Sequence, residues 1–169
     1  YPINALPEEV LYSMALEYSK LKPTDVAMHA YCGIGTNSLT LAKHVKKVYG
    51  VEVVPQAIVD AKENAERNHI TNAEFVCDDA GHFMTEFVER HEKVDCVMVD
   101  PPRKGCSTEF LERLTTLSPE RIVYISCNVA TQARDLTYLV EKGYKPLDVQ
   151  PVDMFPHTPH IENILLLSK

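Results

Sequence analysis

Three features that would define other classes of protein are missing from this sequence of 169 residues. Its longest aliphatic run is Ile164–Leu167, far short of the roughly 18 apolar residues that a membrane-spanning helix needs. The first residues lack the basic-then-apolar pattern and the cleavage site of a secretory signal, so none is expected. Basic residues are outnumbered by acidic ones, 17 against 24, and the net charge of −7 disfavours non-specific nucleic-acid binding by the domain as a whole.

Paired cysteines are also lacking. The five cysteines are dispersed without a C-x-x-C pair, which argues against a disulfide framework or a zinc ribbon and favours a reducing, cytoplasmic setting. His157 and His160 lie three residues apart, but the sequence places no third ligand beside them, so no metal site is predicted. The length and the 45% content of hydrophobic residues fit a single folded domain.

The sequence does contain a regular alternation of short apolar runs and amphipathic stretches. This pattern predicts seven strands, near Val26–Ala30, Val48–Val53, Ala73–Cys77, Val94–Val99, Arg121–Ser126, Tyr144–Gln150 and Ile161–Leu167. It predicts helices at residues 7–21, after Gly35, and near Pro55–His69, Phe83–Arg90, Phe110–Leu117 and Ala130–Lys142. The alternation indicates an α/β fold with a mostly parallel sheet and helices on both faces. The last two strands, with no helix between them, indicate an antiparallel edge strand.

Ligands of such sheets bind beyond the carboxyl ends of the strands, and the first of these ends carries a glycine loop. Gly33 and Gly35, within Tyr31–Thr36, allow a tight turn that a ligand can approach closely. Glu52 ends the second strand, where a carboxylate can accept both ribose hydroxyls, and Asp79 ends the third, where it can meet an adenine edge. With only two glycines, the loop is not the full dinucleotide fingerprint G-x-G-x-x-G. Together these features predict a site for S-adenosylmethionine (AdoMet) on a Rossmann-like fold.

Two further strand ends carry candidate reactive groups. Asp100 begins an Asp-Pro-Pro-Arg sequence after the fourth strand, where the prolines fix the backbone. Cys127, in a Ser-Cys-Asn sequence, lies between the fifth strand and a helix whose dipole favours a thiolate. Cys32 and Cys106 also lie in loops, so position alone leaves the choice of nucleophile open.

Three charged residues near these ends have two interpretations each. Glu162 begins the last apolar strand, where partial burial would raise its pKa and suit it to proton transfer. A solvated strand-edge glutamate fits the sequence equally well. Arg103 and Lys104 can hold a phosphate or a displaced nucleotide, or belong to a solvated loop.

Four segments carry a family resemblance. They are Tyr-Cys-Gly-Ile-Gly at 31–35, Asp-Pro-Pro-Arg-Lys-Gly at 100–105, Ser-Cys-Asn at 126–128 and Asp-Met-Phe-Pro-His-Thr-x-His-x-Glu at 153–162. Together they resemble the AdoMet-dependent RNA uracil-C5-methyltransferases of transfer and ribosomal RNA, with the bacterial 23S ribosomal RNA enzymes the most similar. The resemblance covers the catalytic domain. The family's OB-like RNA-binding domain and its central domain, which in some members holds an iron–sulfur cluster, are not expected within these residues.

The resemblance implies a role for individual residues. Cys127 matches the family nucleophile and Glu162 its general base, while the positions that line the AdoMet pocket are matched by Tyr31, Thr36, Glu52, Asp79 and Asp100. Arg103, Lys104 and Asn128 are expected to contact the RNA substrate. Carbon 5 of uracil is a poor nucleophile, so the reaction needs a thiolate that adds at carbon 6 and a carboxylate that removes the carbon 5 proton. No membrane and no protein partner are indicated.

Three positions depart from the family pattern. Pro2-Ile3-Asn4 replaces a Gln-x-Asn element, His29 replaces an acidic residue two positions before Tyr31, and Val129 replaces a proline. These departures keep open a binding module for AdoMet or RNA without catalysis. A second alternative is a methyltransferase for an exocyclic amine of adenine or guanine. Arg103 disfavours it, because such enzymes typically place an aromatic residue after Asp-Pro-Pro to stack the base.

Overall fold

A computed structural model describes residues 13–17, 19–153 and 161–169. Within the helix predicted at 7–21, residues 13–17 are helical, and residues 7–12 lie outside the described part of the chain. Pro2-Ile3-Asn4 and residues 154–160, which include His157 and His160, also lie outside it. None of the helices among the described residues combines the length and the apolar composition that crossing a membrane requires.

Seven strands form one sheet in the described part of the chain, and each corresponds to a predicted strand. They are β1 Val26–Ala30, β2 Lys47–Glu52, β3 Ala73–Cys77, β4 Cys96–Val99, β5 Arg121–Ser126, β6 Lys145–Asp153 and β7 Ile161–Ser168, in the spatial order β3-β2-β1-β4-β5-β7-β6. Strands β1 to β5 are parallel, β7 is antiparallel to β5, and the edge strand β6 is antiparallel to β7. The predicted mostly parallel sheet with an antiparallel edge is therefore confirmed.

Five helices connect these strands in the described part: α1 Thr36–Ala42, α2 Pro55–Arg67, α3 Ala80–Glu89, α4 Thr108–Leu117 and α5 Val129–Glu141. The side chains of Asp79, Ser107 and Asn128 cap α3, α4 and α5 by accepting hydrogen bonds from backbone N–H groups of the first turn. The caps explain why α3 and α4 begin before the predicted Phe83 and Phe110, since the apolar periodicity starts later than the hydrogen-bonded turn.

Apolar side chains cover both faces of the sheet. One face packs against α3, α4 and α5 through a cluster that includes Met28, Val97, Tyr124 and Leu165. The other face packs against α1 through a cluster that includes Ala27, Met98, Ile125 and Ile164. Strands β4 and β5 are buried along their whole length, as expected of parallel strands covered on both sides.

A buried ion pair closes the amino edge of the sheet. Arg121, at the start of β5, places Nη2 2.6 Å from Asp25 Oδ2, and its Nη1 donates to the carbonyl oxygens of Ser19 and Lys20. Burial alone would raise the pKa of Asp25, but the hydrogen bond and charge of Arg121 hold that pKa below its ordinary value. The predicted site residues lie at the opposite, carboxyl edge.

Candidate functional site

The strand topology brings the predicted site segments to one edge of the sheet. Because β1 to β5 are parallel, the segments after them lie at their common carboxyl edge: residues 31–36, 52, 78–79, 100–105 and 127–128. Strand β7 runs the other way, so its first residues, including Glu162, lie at that same edge. Residues far apart in the sequence are thus neighbours on one rim.

The loop after β1 holds three residues in the left-handed backbone region. Tyr31, Gly33 and Gly35 have φ angles of 63°, 56° and 82°. Glycine adopts such angles freely, whereas tyrosine does so at a cost of about 1–2 kcal/mol. The Tyr31 ring packs on Phe110 with the ring centroids 5.4 Å apart, which helps to hold this conformation. Backbone strain of this kind is concentrated at ligand sites.

Two glycines let this loop and β2 lie against Phe75 of β3. A Cβ atom on Gly35 would lie 2.7 Å from Phe75 Cε1 and 2.8 Å from the Cβ of Ala61, and one on Gly50 would lie 2.6 Å from Phe75 Cδ1. A Cβ atom on Gly33 would meet nothing within 4 Å, so this side of the loop faces open space. The sequence pattern identified Gly33 and Gly35 but not Gly50, whose only signal was a glycine inside a predicted strand.

The Glu52 carboxylate is fixed beside this loop by backbone groups. Its Oε1 accepts from the N–H of Gly33 at 3.1 Å, and its Oε2 accepts from the N–H groups of Val53 at 2.8 Å and Val54 at 3.2 Å. A carboxylate offers about four acceptor positions, so acceptor capacity is left for a hydroxyl group of a ligand. The geometry therefore leaves Glu52 room to accept from one ribose hydroxyl, and the predicted contact with both hydroxyls stays a prediction.

Asp79 has a structural task at the start of α3. Its Oδ1 accepts from the N–H of His82 at 3.0 Å. The carboxylate of Asp79 also lies close enough to Tyr31 to act on its hydroxyl, although burial contributes most to raising the pKa of Tyr31 and Cys106 comes next. The predicted contact of Asp79 with adenine stays a prediction.

One group among the described residues has the spacing of metal ligands. The ligand atoms of Asp78, just before α3, and of His82 and Glu86, on α3, all lie within 4.8 Å of one another. The side chain of Asp78 pairs with His82 Nδ1 at 2.8 Å and raises the pKa of that histidine, while Glu86 pairs with Arg90 at 3.4 Å. The two carboxylates of this group are therefore each paired within the protein itself.

Exposure separates the five cysteines. Cys32, Cys96 and Cys106 are buried, and burial raises the pKa of their thiols, to about 12 for Cys32 and Cys96. Cys77 and Cys127 are exposed. Cys77 ends β3, well away from β5 in the sheet, whereas Cys127 directly precedes the Asn128 cap of α5. The structure thus favours Cys127 over the loop cysteines that the sequence left as alternatives.

Glu162 lies next to Cys127 in the strand register. Ser126 of β5 pairs with Asn163 of β7, so Cys127 and Glu162 each lie one residue beyond that pair, at the carboxyl edge. Glu162 is half-buried, and its pKa is raised first by burial and then by the negative charge of Asp100. A carboxylate with a raised pKa is a stronger base than an ordinary one, which fits the proton-transfer interpretation of Glu162.

The loop after β4 presents two cations to solvent. Arg103 and Lys104 are exposed, whereas Pro101 and Gly105 are buried. The carbonyl oxygen of Arg103 accepts from Asn128 Nδ2 at 3.2 Å, so the loop is tied to the residue beside Cys127. This hydrogen bond uses Nδ2 of Asn128, and the cap of α5 uses its Oδ1, so both polar atoms of the side chain are bonded.

Two buried polar residues near this edge belong to no predicted site. Asp135, on α5, is fully buried beside Tyr124 and the Cys106 backbone. The sequence feature that could have revealed Asp135 is its position as an acidic residue on the buried face of α5, which also carries Gln132 and Leu139. His29, which the family resemblance singled out, is buried with Nδ1 3.0 Å from Ser38 Oγ, and burial lowers its pKa to about 4. A neutral histidine therefore stands where the family has an acid.

Comparison with known proteins supports one family. A family model described as tRNA (uracil-5-)-methyltransferase matches residues 4–169. A curated relative from Bacillus cereus, named an uncharacterized RNA methyltransferase, is 50% identical over 169 residues, which are 100% of this chain and 37% of the relative. The chain thus spans little more than a third of the length of the curated relatives it matches.

Solved structures agree with this relationship. The tRNA (uracil-54, C5)-methyltransferase of Pyrococcus abyssi, solved in complex with S-adenosyl-L-homocysteine, superposes with a TM-score of 0.75 at 33% identity over 94% of this chain and 37% of that chain. An rRNA methylase from Streptococcus thermophilus superposes with a TM-score of 0.73 over 99% of this chain and 98% of that chain, but at 17% identity it supports the fold alone. The predicted family and the Rossmann-like fold are both confirmed.

Proposed function

Because this chain belongs to the tRNA (uracil-5-)-methyltransferase family, we propose that it transfers a methyl group from AdoMet to carbon 5 of a uridine in RNA. The observation that carries this proposal is the register of β5 and β7, which places the exposed thiol of Cys127 and the half-buried carboxylate of Glu162 each one residue beyond the Ser126–Asn163 pair. Neither a simple binding module nor an amine methyltransferase requires a thiol and a carboxylate at these positions.

The carboxyl edge has a cofactor half, at the ends of β1 to β3, and a chemical half, at the ends of β4 and β5. The cofactor half fits AdoMet. Glu52 is held beside the glycine loop with acceptor capacity left, and Gly33 faces open space through which a nucleoside can approach. The Pyrococcus abyssi enzyme was solved with S-adenosyl-L-homocysteine, which is AdoMet without its transferable methyl group. The residues proposed to hold AdoMet are Tyr31, Gly33, Gly35, Thr36, Glu52, Asp79 and Asp100. When bound, AdoMet supplies an electrophilic methyl group on a sulfonium.

The chemical half of the edge then performs two tasks. The Cys127 thiolate adds to carbon 6 of the uracil, and the electron pair of the ring double bond becomes available at carbon 5 for bonding to the methyl group. Glu162 next takes the carbon 5 proton, the double bond forms again, and the thiolate of Cys127 leaves. The raised pKa of Glu162 supports its role as the base. The target base must leave its stack to reach these groups.

Arg103 and Lys104 are proposed to bind the RNA backbone. Both side chains are exposed on a loop that is bonded to Asn128, beside the nucleophile. Two cations there can bind a phosphate next to the target nucleotide, although the whole chain is acidic. Asn128, also predicted to contact substrate, is proposed to act mainly by holding this loop. The ribosomal target predicted from the sequence stays a prediction, since the family description names tRNA.

A covalent trap tests the proposal directly. Transfer RNA and 23S ribosomal RNA transcripts that contain 5-fluorouridine are incubated with the chain and AdoMet in separate reactions. Fluorine stands where Glu162 would remove a proton, so the adduct should persist, and peptide mapping should locate it on Cys127.

Two cysteine variants complete this experiment. Cys127→Ala should abolish both the adduct and methyl transfer while calorimetry still shows AdoMet binding. Cys77→Ala, the matched control at the other exposed cysteine, should keep both activities. Methylation of an adenine amine, or full turnover by Cys127→Ala, would disprove the proposed reaction.

A further inference from the structure

Polar side chains from the cap and the first turns of α5 bond to the loop after β4. The side chains of Asn128, Thr131, Arg134 and Asp135 all bond to the backbone of residues 103–106. The bonded partners are 25 to 30 positions apart in the sequence. We call this set of contacts the α5 clamp.

The first part of the clamp holds Arg103. Its carbonyl oxygen accepts from Asn128 Nδ2 and from Thr131 Oγ1, both at 3.2 Å. The Arg103 side chain stays exposed. The clamp therefore fixes the base of this side chain and leaves its guanidinium free to reach a ligand.

The second part of the clamp is built on Asp135, which is fully buried. Its Oδ2 accepts from the N–H of Cys106 at 2.9 Å and from the Tyr124 hydroxyl at 2.6 Å. Its Oδ1 accepts from Arg134 Nε at 3.2 Å and Nη2 at 3.1 Å. Burying a carboxylate is costly unless it is paired and hydrogen-bonded, and this complete set of partners points to a task that an apolar residue cannot perform.

Arg134 extends the same contacts to the loop. Its Nη2 donates to the carbonyl oxygens of Lys104 at 3.0 Å and Cys106 at 3.1 Å. The side chain is itself more than half exposed, so it contributes little to the core. Its bonds connect Asp135 to the backbone of Lys104.

Gly105 shows how closely the loop and the helix approach. Its φ angle is 79°, and a Cβ atom there would lie 2.7 Å from Arg134 Nη2 and 2.9 Å from Asp135 Oδ2. A side chain would thus displace both charged groups. The loop is therefore seated on the clamp, with glycine required by both the backbone angle and the space.

We propose that Asp135 is a positioning residue that, through Arg134 and the Cys106 backbone, sets where Arg103 and Lys104 hold the RNA relative to Cys127. The same helix begins one residue after the cap that follows Cys127, so a shift of the loop on α5 changes the distance between the bound phosphate and the nucleophile. This inference rests on the proposed function. A misplacement of about 1 Å can lower a rate by about a hundredfold.

The test distinguishes the positioning of the loop by Arg134 from the binding of RNA by the positive charges of the loop. In Arg134→Lys the ammonium can still pair with Asp135, but it lacks the planar guanidinium, in which Nε and Nη2 hold Asp135 while Nη2 also reaches the two loop carbonyls. We expect the single-turnover methylation rate at saturating RNA and AdoMet to fall about tenfold or more, with the RNA Kd changed less than about twofold because both cations of the loop remain. Lys104→Ala should show the opposite pattern, a weaker Kd with a shallower salt dependence.

Arg113→Lys is the matched control. Arg113 is also a partly exposed arginine that bonds across helices, to Thr85 Oγ1 at 2.7 Å, but it does not touch the loop. The single-turnover methylation rate of the Arg113→Lys variant should stay unchanged. An unchanged rate in Arg134→Lys, or a loss accompanied by equal losses of AdoMet affinity and thermal stability, would overturn the proposal.

A readout independent of activity keeps the clamp testable if the reaction itself is wrong. Asp135→Asn should speed hydrogen exchange at the Cys106 amide, whose N–H donates to Asp135 in the wild-type chain. Arg113→Lys should leave that exchange unchanged. If the wild-type chain methylates no RNA, the proposed function fails, and slow exchange in Asp135→Asn would show separately that the clamp does not hold the loop.

Discussion

The two halves of the carboxyl edge are fixed by different kinds of contact. In the cofactor half, at the ends of β1 to β3, glycine backbone angles and close steric approach set the loop, and Glu52 is held by neighbouring backbone N–H groups. In the chemical half, at the ends of β4 and β5, side chains of α5 hold the loop backbone across 25 or more positions of sequence.

Buried polar groups show the same contrast. His29 of the cofactor half is buried, and its Nε2 has no hydrogen-bond partner among the described residues. Asp135 of the chemical half is equally buried, yet both of its oxygens are hydrogen-bonded. The cofactor half thus contains a buried histidine with one nitrogen unpaired among the described residues, whereas Asp135 of the chemical half belongs to a complete network of charged hydrogen bonds.

The largest expected effect tests the steric basis of the cofactor half. Gly35→Ala should lower the free energy of unfolding by about 3 kcal/mol, because the left-handed angle costs about 1–2 kcal/mol and overpacking adds a similar amount. Urea unfolding measures this loss. The matched control is Gly33→Ala, which has the backbone angle without the contacts and should lose about 1 kcal/mol. Equal losses in the two variants would show that contact with Phe75 is unimportant.

The next effect concerns pH and the buried histidine. The folded pKa of His29 is about 4 against an ordinary 6.5, so the unfolded chain binds the extra proton first as the pH falls. The stability contributed by neutral His29 is complete above pH 6.5 and is lost as the pH falls towards 4. Unfolding free energies measured across this range should therefore be flatter in His29→Gln.

His82 provides the opposite sign as a control. Asp78 raises the pKa of His82, so its contribution is present at low pH and is lost as the pH rises through the raised value. His82→Gln should thus make the fall in stability at low pH steeper. A curve for His29→Gln that matches the wild-type curve would show that His29 is not the group that titrates.

The smallest effect is a shift in the pH dependence of the proposed reaction. Glu162 must be deprotonated to act as a base, so the single-turnover rate should fall as the pH drops through its raised pKa. Asp100→Asn removes one of the two causes of that increase and should move the acidic limb to lower pH when AdoMet is saturating. Glu162→Gln should lose the rate at every pH. If the acidic limb of the Asp100→Asn variant stayed at the wild-type pH, the charge of Asp100 would not be a cause of the raised Glu162 pKa.

Several parts of the fold and site could be predicted because their causes are local. The strands at Ala73–Cys77 and Arg121–Ser126 follow from short apolar runs, and the glycine loop at residues 33–35 follows from backbone angles that few other residues adopt. The predicted starts of α3 and α4 lie two or three residues late, since a cap is a hydrogen bond and leaves no periodicity.

By itself the sequence determined the order of the elements, the loop segments that follow the parallel strands and the family, because these depend on neighbours along the chain. Only the tertiary structure decided that Cys127 is exposed while Cys32 and Cys106 are buried, that Glu162 experiences the charge of Asp100, and that Asp135 holds the loop of Arg103. Exposure, pKa and hydrogen bonding depend on which distant segments pack together, and sequence spacing does not record those distances.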